Sequence, residues 1–349
     1  MINRRWLRLL AVALGVVMLA AACGDDDDDG TTATTAGNGA SDLRIGLVYD
    51  IGGRGDQSFN DAAFAGLSQA QDELGVEIQD LEPSAGGEDR EELLRTLAED
   101  EYDMIIGVGF AFAEAMGAVA ADFPDTTFAI VDDASVEAPN LTSLVFAEEQ
   151  GSFLVGAAAA LTSTTGKLGF IGGVEVDLIK KFEAGFVAGA AEVDPDATVD
   201  VKYISQPPDF SGFNDPAKGK EIALGQYAGG ADVIYHAAGG SGGGLFEAAL
   251  ETGDVWAIGV DSDQYLTAEP AVQGTILTSM LKRVDVAVFE AIKAFTEGSL
   301  EAGVQVFDLA NDGIGYATSG DFLSEDIINQ LDELKTKIVD GEIEVPTAP

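Results

Sequence analysis

Residues 49–60, Y-D-I-G-G-R-G-D-Q-S-F-N, are the stretch around which we expect the fold to be organised. The apolar run 43–48 before it predicts a buried strand, and apolar residues from Phe59 onward recur at helical spacing. The glycines of the loop allow a tight turn, and Asp56 or Ser58 can cap the helix that follows. In an open α/β sheet, such a corner at the carboxyl end of a strand is where ligands bind.

This loop lacks the motifs that bind a cofactor phosphate. The G-x-G-x-x-G spacing is absent, and so is a G-K-[ST] ending, so we do not expect a cofactor here. Polar and aromatic residues are instead concentrated in this loop and at the start of the helix after it, namely Asp50, Asp56, Phe59 and Asn60. The same residues can be explained without a ligand, because Phe59 can pack inward and the two aspartates can serve as turn and cap residues.

The N-terminus has the features of a secretory leader. Three arginines precede an uncharged apolar run, 9–22, that is too short for a stable membrane span. The run ends in L-A-A-A-C-G, which resembles a bacterial lipobox, although Ala rather than Leu or Val stands three residues before the lone Cys23. We predict a lipoprotein signal peptide over 1–22 and lipidation of Cys23. Ordinary cleavage that leaves a free thiol is the alternative.

The segment 23–42 is polar and begins with five consecutive aspartates, 25–29. It cannot bury enough apolar surface to fold, so we predict a disordered acidic tether. Without the leader, the chain has 15 Lys and Arg (18 − 3) against 61 Asp and Glu, a net charge of −46. This charge excludes nucleic acid and anionic membrane surfaces as electrostatic partners.

The rest of the chain alternates apolar runs with helical patterns, which predicts βαβ units and parallel sheets. The chain also contains a sequence pattern that occurs twice. R-I-G-L-V at 44–48, followed by Gly52-Gly53 and a helix, has a counterpart in K-L-G-F-I at 167–171, followed by Gly172-Gly173 and a helix. We therefore predict two similar lobes that face each other across a cleft.

Further polar and aromatic residues fall at predicted strand ends or in glycine-rich turns, and so bear on this cleft. These residues are Gly109, Asp132, Phe213, Gly240, Asp261 and Lys282. Of these, Lys282 is notable because cations are scarce in the chain, although a lysine paired with surface acids would explain it equally well.

Catalytic interpretations have little support in the sequence. His236 is the only histidine, and Cys23 the only cysteine, which excludes a nucleophilic triad or a His-based zinc site. Clustered aspartates could hold calcium, as in enzymes that hydrolyse nucleosides, but the calcium-loop motif is missing. The sequence therefore favours binding over turnover, with no metal or cofactor.

Several motifs in the same order resemble the basic membrane protein family, the nucleoside-binding lipoproteins of ABC importers. They are D-x-G-G-x-x-D-x-S-F-N, G-V-G-F, F-L-V-G-A-A-A-A, G-K-L-G-F-I-G-G, F-N-D-P-A-K-G-K and I-G-V-D-S-D-Q followed by L-T-S-M-L-K. The resemblance implies a type I periplasmic-binding fold, with two Rossmann-like lobes joined by three crossovers. We assign 43–150 and about 276–300 to the first lobe, and 151–275 and about 301–349 to the second.

The resemblance also implies roles for site residues. Phe59 and Phe213 would sandwich a purine, Asp50 and Asn60 would bind the base, and Asp261 and Lys282 would hold the ribose. The insertion-like Q-P-P-D-F-S at 206–211 leaves open whether Phe210 or Phe213 is the second ring. Gly109, Asp132 and Gly240 would line the cleft.

We therefore predict a monomeric, lipid-anchored protein on the extracytoplasmic side of the membrane that captures a purine nucleoside for an ABC permease. A sugar or another small polar metabolite on the same fold is one alternative. A nucleoside hydrolase is a more distant one, and a sensor lobe that feeds a membrane kinase is another.

Overall fold

Two six-stranded sheets form the framework of the protein in the computed structural model, which describes residues 42–349. The predicted signal peptide, Cys23 and nearly all of the predicted tether lie outside these residues. The strands are β1 Arg44–Val48, β2 Glu77–Leu81, β3 Met104–Gly107, β4 Thr127–Val131, β5 Leu141–Phe146, β6 Lys167–Val174, β7 Thr198–Ser205, β8 Val233–Ala237, β9 Trp256–Asp261, β10 Ile276–Lys282, β11 Gly303–Phe307 and β12 Ile314–Tyr316.

Helices follow most of the strands and cover the sheet faces. The helices are α1 Phe59–Leu74, α2 Arg90–Glu99, α3 Ala113–Asp122, α4 Glu148–Thr162, α5 Asp177–Val193, α6 Pro216–Ala228, α7 Gly242–Thr252, α8 Gln264–Thr267, α9 Val284–Thr296 and α10 Glu325–Val339. Short 3-10 turns at Phe110–Phe112, Ser211–Phe213 and Gly239–Ser241 lie where strands pass into helices.

Each lobe is built on one sheet. The first has the strand order β11-β5-β4-β3-β1-β2, and all of its pairs are parallel. The second has the order β12-β10-β9-β8-β6-β7 and is parallel except for β12, which runs antiparallel to β10. The chain crosses between the sheets after β5, after β10 and after β11. The predicted α/β fold with two lobes and three crossovers is confirmed.

The predicted lobe boundaries near the C-terminus are wrong for two strands. We expected 276–300 in the first lobe, but β10 pairs with β9 of the second sheet, whereas α9 does pack on α1. We expected 301–349 in the second lobe, but β11 pairs with β5 of the first. An apolar run shows that a strand is buried but not which sheet it joins, because that choice depends on pairing with distant residues.

Glycines allow the two long helices after the first crossover to pack closely. A Cβ added at Gly185 of α5 would lie 2.1 Å from the Glu149 carbonyl oxygen of α4, and one at Gly189 would lie 1.9 Å from the Phe153 carbonyl oxygen. Any larger residue would push the helices apart. This packing fixes α5, whose first turns face the cleft between the lobes.

Candidate functional site

A cavity lies between the lobes, at the carboxyl ends of their parallel strands. Its empty volume is about 560 Å³, counting the part that is open to solvent. Eight of the nine residues predicted to contact a ligand line it: Asp50, Phe59, Asn60, Gly109, Asp132, Phe213, Asp261 and Lys282.

Gly240, the ninth predicted residue, does not line the cavity, and its neighbour Gly239 takes that place. A Cβ added at Gly240 would lie 3.4 Å from Asn214 Oδ1 and 3.6 Å from the Phe213 carbonyl oxygen. Gly240 therefore packs behind the loop that carries Phe213. The glycine-rich sequence predicted the turn, but not which glycine faces the cleft.

Asp50 and Asn60 form a polar wall on the first lobe. The Asp50 backbone N–H donates to Asn60 Oδ1 (2.9 Å), so Asn60 Nδ2 can donate toward the cavity that both residues line. Asp50 Oδ1 accepts from the Ile51 N–H (2.8 Å). Its Oδ2 lies beside Gly109, where an added Cβ would come within 2.5 Å of it. The wall thus offers a carboxylate acceptor next to an amide donor.

Arg90 supports this wall from behind and was not predicted. Its Nη2 donates to Asp50 Oδ1 (3.2 Å), with only 12% and 13% of the two side chains exposed. Its Nη1 donates to the Gly87 carbonyl (3.0 Å). Burial raises the pKa of Asp50, and the Arg90 charge opposes this rise. Since Arg90 lies forty residues from Asp50 in the chain, no local pattern indicated the pairing.

Asp56 caps helix α1. Its carboxylate accepts from the backbone N–H groups of Asn60 (2.8 Å), Ser58 (3.0 Å) and Asp61 (3.1 Å), and so takes the capping role that the sequence allowed either to Asp56 or to Ser58. Burial nevertheless raises the pKa of Asp56 to about 6. Asp56 lines the cavity, but its oxygens are largely occupied by the helix.

Asp261 and Lys282 form the charged floor of the cavity, together with Asp132. Lys282 Nζ lies 2.6 Å from Asp132 Oδ2, and this ion pair joins the end of β10 in the second lobe to the end of β4 in the first. Asp132 and Asp261 follow or end their strands in the left-handed region, with φ of 69° and 63°. Such conformations are uncommon for residues other than glycine and concentrate at functional sites.

Glu148, at the start of α4, is a third carboxylate near Lys282 and was not predicted. Its Oε1 lies 3.4 Å from Lys282 Nζ, and both side chains are almost fully buried. Burial lowers the pKa of Lys282, but the carboxylates of Asp132, Glu148 and Asp261 outweigh it and hold the pKa above the ordinary value. Burial raises the pKa of Asp132 to about 7 and also raises that of Asp261, while Lys282 opposes both shifts.

Aromatic side chains from both lobes face the cavity. Phe59 comes from α1 of the first lobe, and its ring centroid lies 4.9 Å from Lys282 Nζ. Phe213 comes from the second lobe, and its ring packs over Gly173, where an added Cβ would lie 2.5 Å from a ring carbon. Two further rings line the cavity: Phe110 of the first lobe, and Phe182 of α5 beside the apolar side chains of Leu178 and Ile179.

Phe210 and Phe213 have different positions. Phe213 lines the cavity, whereas the Phe210 ring packs on Phe110 of the first lobe with centroids 6.0 Å apart. Of the two rings that the sequence left open, Phe213 is therefore the one placed to contact a ligand.

His236 lies in the second lobe and does not line the cavity. It is fully buried, its Nε2 lies 3.0 Å from Gln264 Oε1, and burial lowers its pKa to about 4. Within residues 42–349, no group of three or more His, Cys, Asp or Glu side chains is placed to hold a metal ion.

No helix in the described part of the chain combines the length and apolarity that a bilayer span requires.

Residues 43–348 match the family model Bmp, described as ABC transporter substrate-binding protein PnrA-like. The chain is 39% identical over 326 residues to the CD4+ T-cell-stimulating antigen of Listeria monocytogenes, with 89% of this chain and 90% of the relative covered. It is 34% identical over 329 residues to the ABC transporter nucleoside-binding protein BmpA of Lactococcus lactis, with 90% and 92% covered.

A solved structure agrees with these relationships. An ABC transporter solute-binding protein from Aeropyrum pernix superposes with a TM-score of 0.77 at 29% identity, over 87% of this chain and 93% of that protein. The family model describes ABC transporter substrate-binding proteins, which confirms the expectation of a binding protein. From the family match and these likenesses, we conclude that the chain belongs to the PnrA-like family of ABC transporter substrate-binding proteins, the Bmp family that the sequence motifs resemble.

Proposed function

We propose that this protein binds a purine nucleoside in the cleft between its lobes. One observation carries the proposal: an aromatic ring from each lobe, Phe59 and Phe213, faces a cavity whose floor holds Asp261 and Lys282. Rings suit the two faces of a base, and a carboxylate can accept from both hydroxyls of a cis-diol.

In this proposal, the base stacks between Phe59 and Phe213, and each face contributes about 1–3 kcal/mol by the usual measure of alanine substitution. Asp50 and Asn60 bind the edge of the base, as an acceptor and a donor side by side. Gly109 and Asp132 complete the lining. The Lactococcus lactis relative, which is named as nucleoside-binding, supports this choice of ligand.

The ribose lies over the charged floor, where Asp261 accepts from its hydroxyls. Lys282 keeps that carboxylate ionised and donates to a ribose oxygen. Because the residues around the ligand come from both lobes, binding draws the lobes together by hinge closure.

We also propose the setting in which the protein works. Lipidation of Cys23 anchors it on the extracytoplasmic side of the membrane, and it acts as a monomer that hands its ligand to an ABC permease. The net charge of −46 without the leader supports contact with the membrane through the lipid alone.

Native mass spectrometry of the purified protein before any exchange step, followed by calorimetric titration, tests the ligand. We expect a retained nucleoside and saturable binding of adenosine, guanosine or inosine, with ribose much weaker. Phe213→Ala and Asp261→Ala should each weaken nucleoside binding. Ribose binding as tight as nucleoside binding would instead identify a sugar-binding protein, and unchanged affinity in both variants would refute the site.

A further inference from the structure

The loop before α1 is bonded directly to the second lobe beside the cavity. Ser58 Oγ lies 2.6 Å from Asp261 Oδ2, and Ser262 Oγ donates to the Ser58 carbonyl (3.0 Å). Gln264 Nε2 and Thr267 Oγ1 both donate to the Gln57 carbonyl, each at 3.2 Å. We call these bonds between 57–58 of the first lobe and 261–267 of the second the latch.

The bond from Ser58 to Asp261 is the shortest in the latch and the most buried. Ser58 is fully buried and Asp261 is 7% exposed. Ser58 Oγ also lies 3.2 Å from the Val260 carbonyl, but a hydroxyl has one proton, and the closer, charged acceptor takes it. Because Asp56 already caps α1, the Ser58 hydroxyl is free for this contact between the lobes.

His236 supports the latch through Gln264. The Val260 N–H can only donate, so the Gln264 atom 2.9 Å away from it is the carbonyl Oε1. His236 Nε2, which lies 3.0 Å from the same oxygen, must therefore carry its proton and donate. These two donors fix the side-chain amide so that Nε2 points to Gln57. The only histidine in the sequence thus orients a residue that bonds across the cleft.

We propose that Ser58 is a positioning residue that holds the Asp261 carboxylate when the lobes close, so that latch formation favours the closed form. Opening the cleft would break the latch and leave Asp261 Oδ2 without its donor. The carboxylate is then preorganised only in the closed form, and closure and binding become cooperative. This inference rests on the proposed function in one respect, which is that Asp261 contacts the ligand.

Ser58→Ala in the full chain tests the latch, with Ser163→Ala as the matched control. Ser163 Oγ also lies 2.6 Å from an aspartate oxygen, Asp232 Oδ1, but both residues belong to the second lobe. Small-angle X-ray scattering of the ligand-free proteins measures closure. We expect a larger radius of gyration for Ser58→Ala than for the parent, and none of this change for Ser163→Ala.

Ligand kinetics give a second readout. Stopped-flow release of a bound purine nucleoside should be about tenfold faster in Ser58→Ala, within the usual range of coupling effects, and unchanged in Ser163→Ala. If Ser58→Ala folds poorly, Thr267→Ala removes one latch bond at an exposed position and should give a smaller expansion in the same direction.

The scattering measurement separates failure of the latch from failure of the proposed ligand, because it needs no nucleoside. Expansion of Ser58→Ala without any nucleoside binding would support the latch and refute the ligand. Parent-like dimensions in both Ser58→Ala and Thr267→Ala would overturn the latch, as would an equal expansion in Ser163→Ala.

Discussion

The two corners that echo each other in the sequence have different structures. In the first lobe, ten residues, 49–58, separate β1 from α1, and Gly52 and Gly53 turn the chain there with positive φ angles of 97° and 58°. In the second lobe, Gly172 and Gly173 lie inside β6, and only Glu175 and Val176 separate it from α5.

These differences give the corners different roles. The long first loop carries polar groups into the cleft, among them Asp50 and Asp56. The glycines of the second corner make room for rings, because a Cβ at Gly172 or Gly173 would lie 2.5 Å from a ring carbon of Tyr203 or Phe213. The first corner therefore supplies hydrogen-bonding groups, and the second supports an apolar wall. We expect changes in the first corner to alter the discrimination between bases. Changes in the second corner should weaken the binding of all purine nucleosides by the same factor.

The largest effect is expected for Asp50→Asn in the first corner. It removes the charge from the acceptor that we propose binds the base, and it leaves Arg90 buried without its counterion. Hydrogen bonds to charged groups contribute about 1.5–3 kcal/mol, so we expect roughly a hundredfold loss of affinity that differs between adenosine, guanosine and inosine. Titration measures it, with Asp80→Asn as control, since Asp80 bonds to Tyr49 outside the cavity. An equal loss for all three nucleosides would contradict the division between the corners.

Arg90→Met tests the same corner without touching the cavity. Burial already raises the pKa of Asp50, and Arg90 is the charged group that opposes this rise. Its removal raises the pKa further, so the ionised acceptor is lost as pH falls through the new value and restored as pH rises. We expect about a thirtyfold weaker affinity at pH 7, from loss of a buried charged partner, and partial recovery at pH 9.

The matched control is Arg95→Met on the same helix, because Arg95 pairs with Glu91 and Asp122 on the surface. It should bind like the parent at both pH values. If Arg90→Met were equally weak at pH 7 and pH 9, Arg90 would have only a structural role.

For the ring that packs on the second corner, Phe213→Leu should lower affinity about tenfold, because a stacked base contributes about 1–3 kcal/mol and leucine retains part of the contact. The loss should be the same factor for adenosine, guanosine and inosine. Phe210→Leu is the control, since that ring packs on Phe110 rather than lining the cavity. A loss as large in Phe210→Leu would reverse the assignment of the two rings.

Much of this arrangement could be predicted from the sequence. Strand ends are marked by local patterns, and parallel strands bring those ends to one edge of a sheet, so local patterns were enough to place residues such as Asp132 and Asp261 in a cleft. Eight of nine predicted residues do line the cavity. Their roles in ligand binding stay predictions until a ligand is tested.

The parts that could not be predicted depend on contacts between distant segments. Arg90 on α2 and Glu148 on α4 pair with the cavity residues Asp50 and Lys282, and nothing in their local sequence indicates these partners. The paired glycines looked alike in both corners, yet one pair turns the chain and the other makes space in a strand. Sequence periodicity predicts elements, whereas the use of a glycine depends on what packs against it.

The smallest effect is expected for Gly173→Ala, which tests the space-making role directly. The added methyl would lie 2.5 Å from the Phe213 ring and must displace it. Overpacking of this kind costs about 1–3 kcal/mol of stability, and part of it should appear as roughly a threefold uniform loss of nucleoside affinity. The control for adding a methyl group is Gly225→Ala on α6, because nothing lies within 4 Å of the new Cβ there. This variant should melt at or above the parent temperature, since alanine favours a helix more than glycine does. If Gly173→Ala bound every nucleoside like the parent while melting lower, Phe213 could shift without consequence, and the second corner would not set the position of the ring.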